Sequence, residues 1–232
     1  GVAIFESANG NVIGGTAAGQ ANTVAGNTGA GVLHTGGANN RIQGNAIHSN
    51  GALGIDLSNT ALMPDGVTAN DALDPDTGAN NLQNFPVLTA AQRTATTVLV
   101  AGSLNSTASA SFTLDFYGSP TSDPSGNGEG ATHLGSTTTT TNGSGNAAFN
   151  LTLTATVAVG TIITATATDI NGNTSEFSNV CPAFDSTAIV VSNLNDAGAG
   201  SLRKAIESAN LTPNSTITFN NHGKPQTLSL EE

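Results

Sequence analysis

One acidic loop of the sequence has residue types and spacing that suit a calcium ion. Asp74, Asp76, Gly78 and Asn80 fall at alternate positions, and Asp71 lies just before them. Carboxylate and amide oxygens are the ligands that Ca²⁺ prefers, and a glycine in such a loop permits a sharp turn. The rest of an EF-hand is missing, so the alternative is a solvated acidic turn held by Asx hydrogen bonds. We predict a calcium site that contains Asp71, Asp74, Asp76 and Asn80.

A second and weaker pattern of oxygen ligands lies about a hundred residues later. Its members are Asp169, Asn171, Asn173 and Glu176. A glycine between the two asparagines gives the same residues the character of a hairpin turn. The hairpin turn is the favoured interpretation, and a metal site is the alternative.

The sequence offers no arrangement typical of an enzyme. Cleavage of polysaccharides needs clustered carboxylates, often with a basic residue and calcium. Glu6, Arg41 and Asp56 are the candidates in the first sixty residues, and they do not share a position in the repeats described below. The histidines are scattered, lack metal-ligand spacing and are each predicted on the surface: His34, His48, His133 and His222. We therefore predict a protein without catalytic activity.

The elements that position these residues begin with a repeat. Residues 1–4 recur as 31–34 and 54–57, at offsets of 30 and 23 residues, with 16–21 as an inserted loop. Short apolar strands with Gly and Asn corners at such a period are typical of a solenoid. Asn27, Asn45 and Asn50 are expected at corners, where asparagines can form ladders. The predicted inward residues are Val2, Ile4, Val12, Val24, Val32, Ile42, Ile47 and Ile55.

Residues 85–181 follow a different pattern, with apolar residues at every second position between Gly and Asn turns. This period predicts antiparallel strands with one buried face, and about seven strands in under 100 residues predict a sandwich. The predicted strands are 85–88, 97–104, 111–117, 133–140, 147–154, 161–168 and 175–179.

The last fifty residues contain predicted strands at 188–191, 216–219 and 227–230 and one amphipathic helix at 201–210, which Ser201 can cap.

Composition limits the partners. Five basic residues face sixteen acidic ones, so the formal net charge is −11. Binding to nucleic acid or an anionic membrane needs a basic footprint, so neither is expected. No apolar run approaches the roughly 20 residues of a membrane span. Acidity with many Asn and Asp residues fits a secreted, extracellular protein.

The single cysteine, Cys181, cannot form an intrachain disulfide and is expected to be a small buried hydrophobe, with an intermolecular disulfide as the alternative.

Several segments resemble large bacterial surface proteins. Residues 11–15, 22–27 and 42–45 resemble the right-handed parallel β-helix repeats of such proteins, and 74–87 resembles the junction that follows them. Residues 123–130 and 169–178 are similar to an Ig-like domain, and 192–206 is similar to a capping motif that opens a new β-helix. In such relatives we expect a cysteine near position 122 that pairs with one near Cys181. Ser122 stands here instead, so that disulfide is absent.

Pattern and resemblance together predict an all-β fold. It has right-handed parallel β-helix rungs at both ends of an Ig-like antiparallel β-sandwich, with one short capping helix. The expected domains are rungs at 1–62, an acidic linker at 63–84, the sandwich at 85–181 and the opening of a second β-helix at 182–232.

About two rungs cannot close a core alone, because a solenoid needs three or more repeats. We therefore expect a structural protein, at the cell surface or secreted, that assembles head to tail with itself by strand complementation into a filament. The alternatives are a fragment of an adhesin-like surface protein and, less expected, a polysaccharide-acting enzyme or glycan-binding module. The predicted subunit interface contains Val2, Ile4, Phe5, Leu202, Ile206, Ile217, Phe219, Leu228 and Leu230.

Overall fold

The computed structural model describes residues 1–60, 63–185, 189–195, 197–198, 200–210 and 217–219. Strands dominate these residues, and they contain one short α-helix, so the protein is all-β as predicted. The chain divides into two compact units, Gly1–Ala183 and Phe184–Glu232. The first unit includes the predicted rungs, the acidic linker and the predicted sandwich.

The first sixty residues form three stacks of short parallel strands. The stacks are β1 (Val2–Ile4), β4 (Val32–His34) and β7 (Ile55–Leu57); β2 (Val12–Gly14) and β5 (Arg41–Gln43); and β3 (Thr23–Ala25) and β6 (Ala46–His48). Val2 lies opposite Val32, and Val32 lies opposite Ile55, which confirms the register predicted from the repeats. Each strand is only three residues long. The first two turns of the chain contribute one strand to every stack, and the third contributes β7 to the first stack.

Most of the predicted inward residues are buried between the stacks, but Val12 is not. Ile4, Val24, Val32, Ile42, Ile47 and Ile55 form a core, and Val2 packs against it while half-buried. Val12 is 67% exposed, and its neighbour Ile13 takes the inward position instead. Val12 lies opposite Arg41 in the neighbouring strand. Because the charged Arg41 side chain faces outward, Val12 faces outward with it. The prediction for Val12 is therefore wrong.

Asparagine ladders join the corners of successive rungs. Asn45 Oδ1 accepts hydrogen bonds from the backbone and side-chain nitrogens of Asn22, both at 3.0 Å. Asn50 Oδ1 accepts the same pair of bonds from Asn27, at 3.3 Å and 2.7 Å. Asn40 Oδ1 does so for Asn11, at 3.1 Å and 2.7 Å. These bonds satisfy backbone groups at corners where no strand ladder continues, and they confirm the predicted corner role of Asn27, Asn45 and Asn50.

Residues 87–182 form two antiparallel sheets. Their strand orders are β11 (Thr132–Thr140), β10 (Ser111–Ser119), β13 (Ile162–Asp169) and β14 (Cys181–Pro182) in one sheet, and β12 (Asn146–Leu153), β9 (Val98–Asn105) and β8 (Val87–Arg93) in the other. Side chains of both sheets share one apolar core, in which Phe116 and Phe149 meet edge to face at 5.8 Å. The free thiol of Cys181 is buried in this core, as predicted for a small hydrophobe.

The predicted strand at 175–179 is wrong. This segment has an isolated bridge at Asn179 and another just before it at Thr174, and the Ser175 and Ser178 N–H groups donate to backbone oxygens of β13, but no continuous ladder forms. It buries Phe177 against the rungs, where Phe177 joins Tyr117 of β10 in the core of the three stacks. A Cβ atom on Gly130 would lie 2.7 Å from the Tyr117 ring and 2.9 Å from the Phe177 ring, so only glycine fits there. The stacks and the sheets therefore meet in a shared apolar joint.

The second unit contains β15 (Phe184–Asp185), β16 (Ile189–Val191), α1 (Leu202–Asn210) and β17 (Ile217–Phe219). β16 and β17 pair in parallel, with Ile189 opposite Ile217 and Val191 opposite Phe219. Ser201 caps α1 as predicted, because its Oγ accepts the Lys204 backbone N–H at 3.2 Å. Ala205 of the helix and Val191 of β16 are buried. The predicted strand at 227–230 lies outside the described residues.

Candidate metal site and assembly surface

Three of the four predicted calcium ligands lie together. One carboxylate oxygen from each of Asp71, Asp74 and Asp76 lies within 4.8 Å of the others, and all three residues are half-buried. Leu73 and Asp74 have φ angles of 68° and 56°, a left-handed bend that is unfavourable for leucine. The Leu73 backbone N–H donates to Asn105 Oδ1 at 2.8 Å, which ties the bend to β9. The bend folds the loop so that three aspartates within six consecutive residues converge.

The environment of the cluster disfavours three negative charges. Burial raises the pKa of Asp74 to about 6, and the neighbouring carboxylates of Asp76 and Asp71 add to this rise. Hydrogen bonds from Ser106 Oγ and from the Asn84 backbone N–H oppose this rise. Gln83 Nε2 also donates to Asp74 Oδ2, at 2.7 Å. Burial also raises the pKa of Asp76, with Asp71 as a second cause.

Two oxygens of this cluster lack a hydrogen-bond partner in the described part of the chain. Asp71 Oδ1 and Asp76 Oδ1 are buried, and neither has a hydrogen bond to a described residue. A buried carboxylate oxygen without a partner is unfavourable unless a proton or a cation compensates it. The donor set fits a hard cation that takes oxygen ligands, because a divalent ion would both pair these oxygens and offset the mutual repulsion of the carboxylates.

Asn80, the fourth predicted ligand, belongs to a different network. It lies in a tight turn at Ala79–Leu82, and its side chain is fully buried. Its Oδ1 lies 3.2 Å from His34 Nε2 and accepts the Asn40 backbone N–H at 2.9 Å, while its Nδ2 donates to the backbone oxygens of Asn40 and Thr174. With these contacts Asn80 closes the end of the first stack. Its assignment as a metal ligand is corrected accordingly.

His34 corrects a second prediction, because it is fully buried instead of lying on the surface. Burial lowers its pKa, so the neutral imidazole fills an inward position between the stacks. His48 and His133 are half-buried, and His222 lies outside the described residues. The sequence feature that could have indicated the burial of His34 is its alignment in the repeats with Ile4 and Leu57, both of which are buried.

The second predicted ligand pattern forms a turn. Asp169 Oδ1 accepts the backbone N–H groups of Gly172 and Asn173 at 2.7 Å and 2.8 Å, and its Oδ2 accepts Asn173 Nδ2 at 2.7 Å. Asn171 is exposed at the tip. Glu176 points elsewhere, so these four residues do not converge on one point. The arrangement is the hairpin turn that the sequence favoured.

Glu176 instead forms a buried acidic pair with Asp56, which sequence reasoning missed. Both residues are 1% exposed. Glu176 Oε1 accepts the Leu57 backbone N–H at 2.9 Å, and Oε2 accepts the Thr68 N–H at 3.0 Å. Neither Asp56 oxygen has a hydrogen bond of normal geometry to any residue that the structure describes. The sequence feature that could have indicated a buried Asp56 is its place between two apolar residues, Ile55 and Leu57, of a repeat strand. All three residues are buried.

Burial dominates the titration of this acidic pair. It raises the pKa of Glu176 to about 8, and the charges of Asp56 and Asp65 contribute in the same direction. It raises the pKa of Asp56 to about 6, with the Asp65 carboxylate as a smaller cause and the backbone of Gly66 opposing it. Asp56 is enclosed and therefore unsuited to act on a large substrate.

A serine, a histidine and an aspartate also meet on strands β10 and β11. His133 Nε2 lies 3.0 Å from Asp115 Oδ1 and 3.1 Å from Ser136 Oγ, and Ser136 Oγ donates to Asp115 Oδ1 at 2.5 Å. In a catalytic triad the two ring nitrogens face the serine and the aspartate separately. Here one nitrogen faces both, so the histidine cannot relay a proton between them. Gln43 Nε2 donates to the other Asp115 oxygen at 2.8 Å, so the group braces the joint between stacks and sheets.

The predicted interface residues fall at an exposed edge and in the second unit. Among the described residues, β1, β2 and β3 each pair on one side only, with β4, β5 and β6. Beside this edge, Phe5 is 41% exposed, Val2 is half-buried and Ile4 is buried. In the second unit, Phe219 is 47% and Ile206 39% exposed, whereas Leu202 and Ile217 are half-buried. Leu228 and Leu230 lie outside the described residues.

No protein-family model matches the chain, and no curated protein matches it either. No helix in the described part of the chain is both long and apolar enough to cross a membrane.

Proposed function

We propose that the protein is a non-enzymatic, extracellular structural protein that assembles head to tail into a filament. In this proposal the three stacks are rungs of a right-handed parallel β-helix of the kind found in bacterial surface proteins, and the two sheets are an Ig-like sandwich. The exposed edge of one copy is completed by the second unit of the next copy. The observation that carries the proposal is this edge, where three parallel strands each have one unpaired side among the described residues.

An unpaired strand edge favours association because its backbone N–H and C=O groups need partners. Each backbone hydrogen bond formed across such an edge contributes a net of about 0.5–1.5 kcal/mol. Burial of exposed apolar side chains such as Phe5 contributes about 25 cal/mol per Å². For a stable contact we expect an interface above roughly 2,000 Å² in total, the size of an obligate contact.

The second unit has the strand geometry that this edge requires. β16 and β17 are parallel, like every strand pair in the three stacks. Both strands are three residues long, which matches the length of β1, β2 and β3. α1 packs beside them and leaves Ile206 exposed. A contact between unlike surfaces repeats from copy to copy, so it produces an open polymer unless the ring closes.

Substitution of Phe219 tests the assembly. Phe219→Asp places a charge on an exposed apolar side chain of β17, so it should leave the second unit folded and abolish polymers. Leu194→Asp is the matched control, because Leu194 is 60% exposed in the same unit and lies outside the predicted interface. Light scattering and negative-stain microscopy of each purified chain measure assembly. Filaments from wild type and Leu194→Asp but not from Phe219→Asp are the expected result.

Removal of the whole second unit gives an independent test. Gly1–Ala183 is a compact unit, so a chain that ends there should remain folded and monomeric. An intact chain that stays monomeric at high concentration contradicts the proposal. It would favour the alternative of a segment within a larger surface protein, in which neighbouring parts of the same chain cover the edge.

We also propose that the metal site takes calcium. The support is the set of three carboxylates with two buried oxygens that lack partners among the described residues. Asp71, Asp74 and Asp76 would hold the ion, and the ion would fix the loop that joins the stacks to the sheets. In this proposal the role of the ion is structural.

A further inference from the structure

The outer face of the second stack carries a cleft that the proposed function does not use. Its volume is about 460 Å³, within the range of sites that hold one or two sugar units or a small ligand. Val12 and Arg41 occupy matched positions on this face, one above the other in β2 and β5. The exposed Val12 side chain thus forms an apolar patch beside a basic group.

Arg41 is distinctive among the basic residues. Of the arginines and lysines in the described ranges, it alone has a side chain without a hydrogen bond or an ion pair. It is half-buried, and a Cβ on Gly172 would lie 3.6 Å from its Nε and 3.7 Å from its Nη2. The guanidinium therefore rests against the Gly172 backbone and retains its donors for a ligand. In a chain with a net charge of −11, a cation held in this way marks a place for an anionic group.

Two loops that lie outside the strands of the stacks form walls of the cleft. One is the loop at residues 15–20, part of the extra length of the first repeat, where Gln20 Oε1 accepts the Ala17 backbone N–H at 3.3 Å. The other is the turn after β13, which brings Asn171 and Gly172 over the stack. The remaining walls are polar and uncharged, and the amide of Asn39 and the hydroxyl of Thr16 have no protein partner among the described residues.

We propose that this cleft binds a sugar that carries a single carboxylate. The planar guanidinium of Arg41 matches a carboxylate in a two-bond arrangement. The Asn39, Asn171 and Thr16 side chains suit sugar hydroxyls, and Val12 suits the apolar face of a sugar ring. A polyanionic chain is disfavoured by the net charge of the protein, so the ligand is one acidic sugar in an otherwise neutral glycan.

Titration of the ¹⁵N-labelled full chain carrying Phe219→Asp, the substitution expected to keep it monomeric, tests this site with D-glucuronate, with D-glucose and acetate as the other probes. Glucuronate should shift the backbone signals of Arg41, Asn171 and Gly172 and the Arg41 Nε–H signal, with a Kd on the order of 1 mM for one sugar unit. Glucose and acetate at the same concentrations should bind at least about tenfold more weakly, because each provides only one part of the interaction.

Substitutions separate the charge from the hydroxyl contacts. Arg41→Gln should weaken glucuronate binding at least about tenfold, whereas Arg93→Gln, with the same loss of charge outside the cleft, should leave it unchanged. Asn39→Gly keeps the left-handed backbone of Asn39, whose φ is 61°, and should weaken binding several-fold. Equal binding of acetate and glucuronate would show a simple anion site and overturn the proposal. Equal binding of glucose, or no shift with glucuronate, would overturn it as well.

Discussion

Substitution of Asp76 tests the metal site more directly than substitution of Asp74, whose carboxylate accepts several hydrogen bonds. Its buried Oδ1 lacks a partner among the described residues, so Asp76→Asn removes one charge without breaking a hydrogen bond of that oxygen. In chelator the variant should melt at or slightly above the wild-type temperature, because repulsion with Asp71 decreases. Calcium at 100 times its Kd should stabilise the wild type by about 2.7 kcal/mol and the variant far less, measured as melting curves with and without calcium.

The exposed Glu6 provides the control for this experiment. Glu6→Gln changes the net charge by the same amount far along the sequence from the loop, and it should retain the full calcium response. A wild-type melting temperature that is the same in calcium and in chelator would contradict the assignment of the site to calcium.

Glu176 makes the stability of the fold depend on pH. Burial raises its pKa in the folded state from the ordinary value of 4.5 to about 8, so the folded state holds the proton more tightly than the unfolded chain does. The stability that this proton contributes is therefore complete below pH 4.5 and is lost as the pH rises through about 8. Asp56 acts in the same direction, because burial raises its pKa from the ordinary value of 3.8 to about 6.

Glu176→Gln should remove most of this dependence. The amide oxygen can still accept the Leu57 N–H, but the bond from Thr68 is lost, so the variant should be about 1 kcal/mol less stable at mildly acidic pH. Between about pH 5 and pH 8 its free energy of unfolding should fall less than that of the wild type, by on the order of 2 kcal/mol. Urea denaturation at both pH values measures the difference, and parallel declines in the two proteins would refute this role of Glu176.

At this scale, sequence reasoning succeeded where the partners are neighbours in the chain. Asp71, Asp74 and Asp76 were found because a loop keeps nearby residues together. Asn80 was misassigned because its partners His34 and Asn40 come from the repeats, forty or more residues away. Asp56 and Glu176 meet across a separation of more than a hundred residues, which spacing alone cannot reveal.

The short strands of the stacks depend on side chains at their corners. A strand of three residues forms few ladder bonds, so the asparagine ladders supply much of the polar pairing between rungs. Asn45 is 1% exposed; its Oδ1 accepts two bonds from Asn22, and its Nδ2 donates to the backbone oxygens of Ile13 and Gln43. The corner thus holds two successive rungs at a fixed separation.

Asn45→Ala should therefore destabilise the first unit by about 2–4 kcal/mol, because several buried backbone groups lose their partners. Asn150→Ala is the matched control, since Asn150 is exposed in β12 and should change stability by no more than about 0.5 kcal/mol. Chemical denaturation gives both values. A loss below about 0.5 kcal/mol for Asn45→Ala would mean that water replaces the ladder without penalty.

The pattern predicted the inward residues correctly where apolar and polar residues alternate. It failed where two adjacent residues are both apolar. In β2, Val12 and Ile13 compete for one inward position, and a three-residue strand is too short for alternation to decide between them. The alignment of Val12 with Arg41 carried the missing information. The segment at 175–179 has strand-like residues, but side chains replace the backbone ladder: the Ala165 and Ala167 N–H groups of β13 donate to the Ser178 and Ser175 hydroxyls. Phe177 meanwhile packs against the stacks, a tertiary contact that local pattern does not encode.

Net charge governs assembly at the scale of the whole molecule. Each chain carries −11, so identical copies repel one another at low ionic strength. The proposed contact is formed by apolar side chains and strand edges, which salt does not weaken. Filament length measured by light scattering should therefore increase from about 10 mM to about 150 mM salt, as the Debye length falls from about 30 Å to about 8 Å. Filaments that shorten over this range would indicate a contact made by charge pairs instead.

The shared joint gives the protein a built-in optical reporter. Tyr117 is the single tyrosine of a chain without tryptophan, and it lies between the Phe177 and His133 rings at 5.3 Å from each. Its hydroxyl accepts the Gly44 backbone N–H at 3.1 Å, and burial raises its pKa well above that of a free phenol. Tyrosine absorbance and tyrosine emission therefore come from one place, where the stacks meet the sheets. In mildly alkaline solution Tyr117 would ionise only after the contact between the stacks and the sheets opens. Tyrosinate absorbance can therefore follow the separation of the stacks from the sheets without any label.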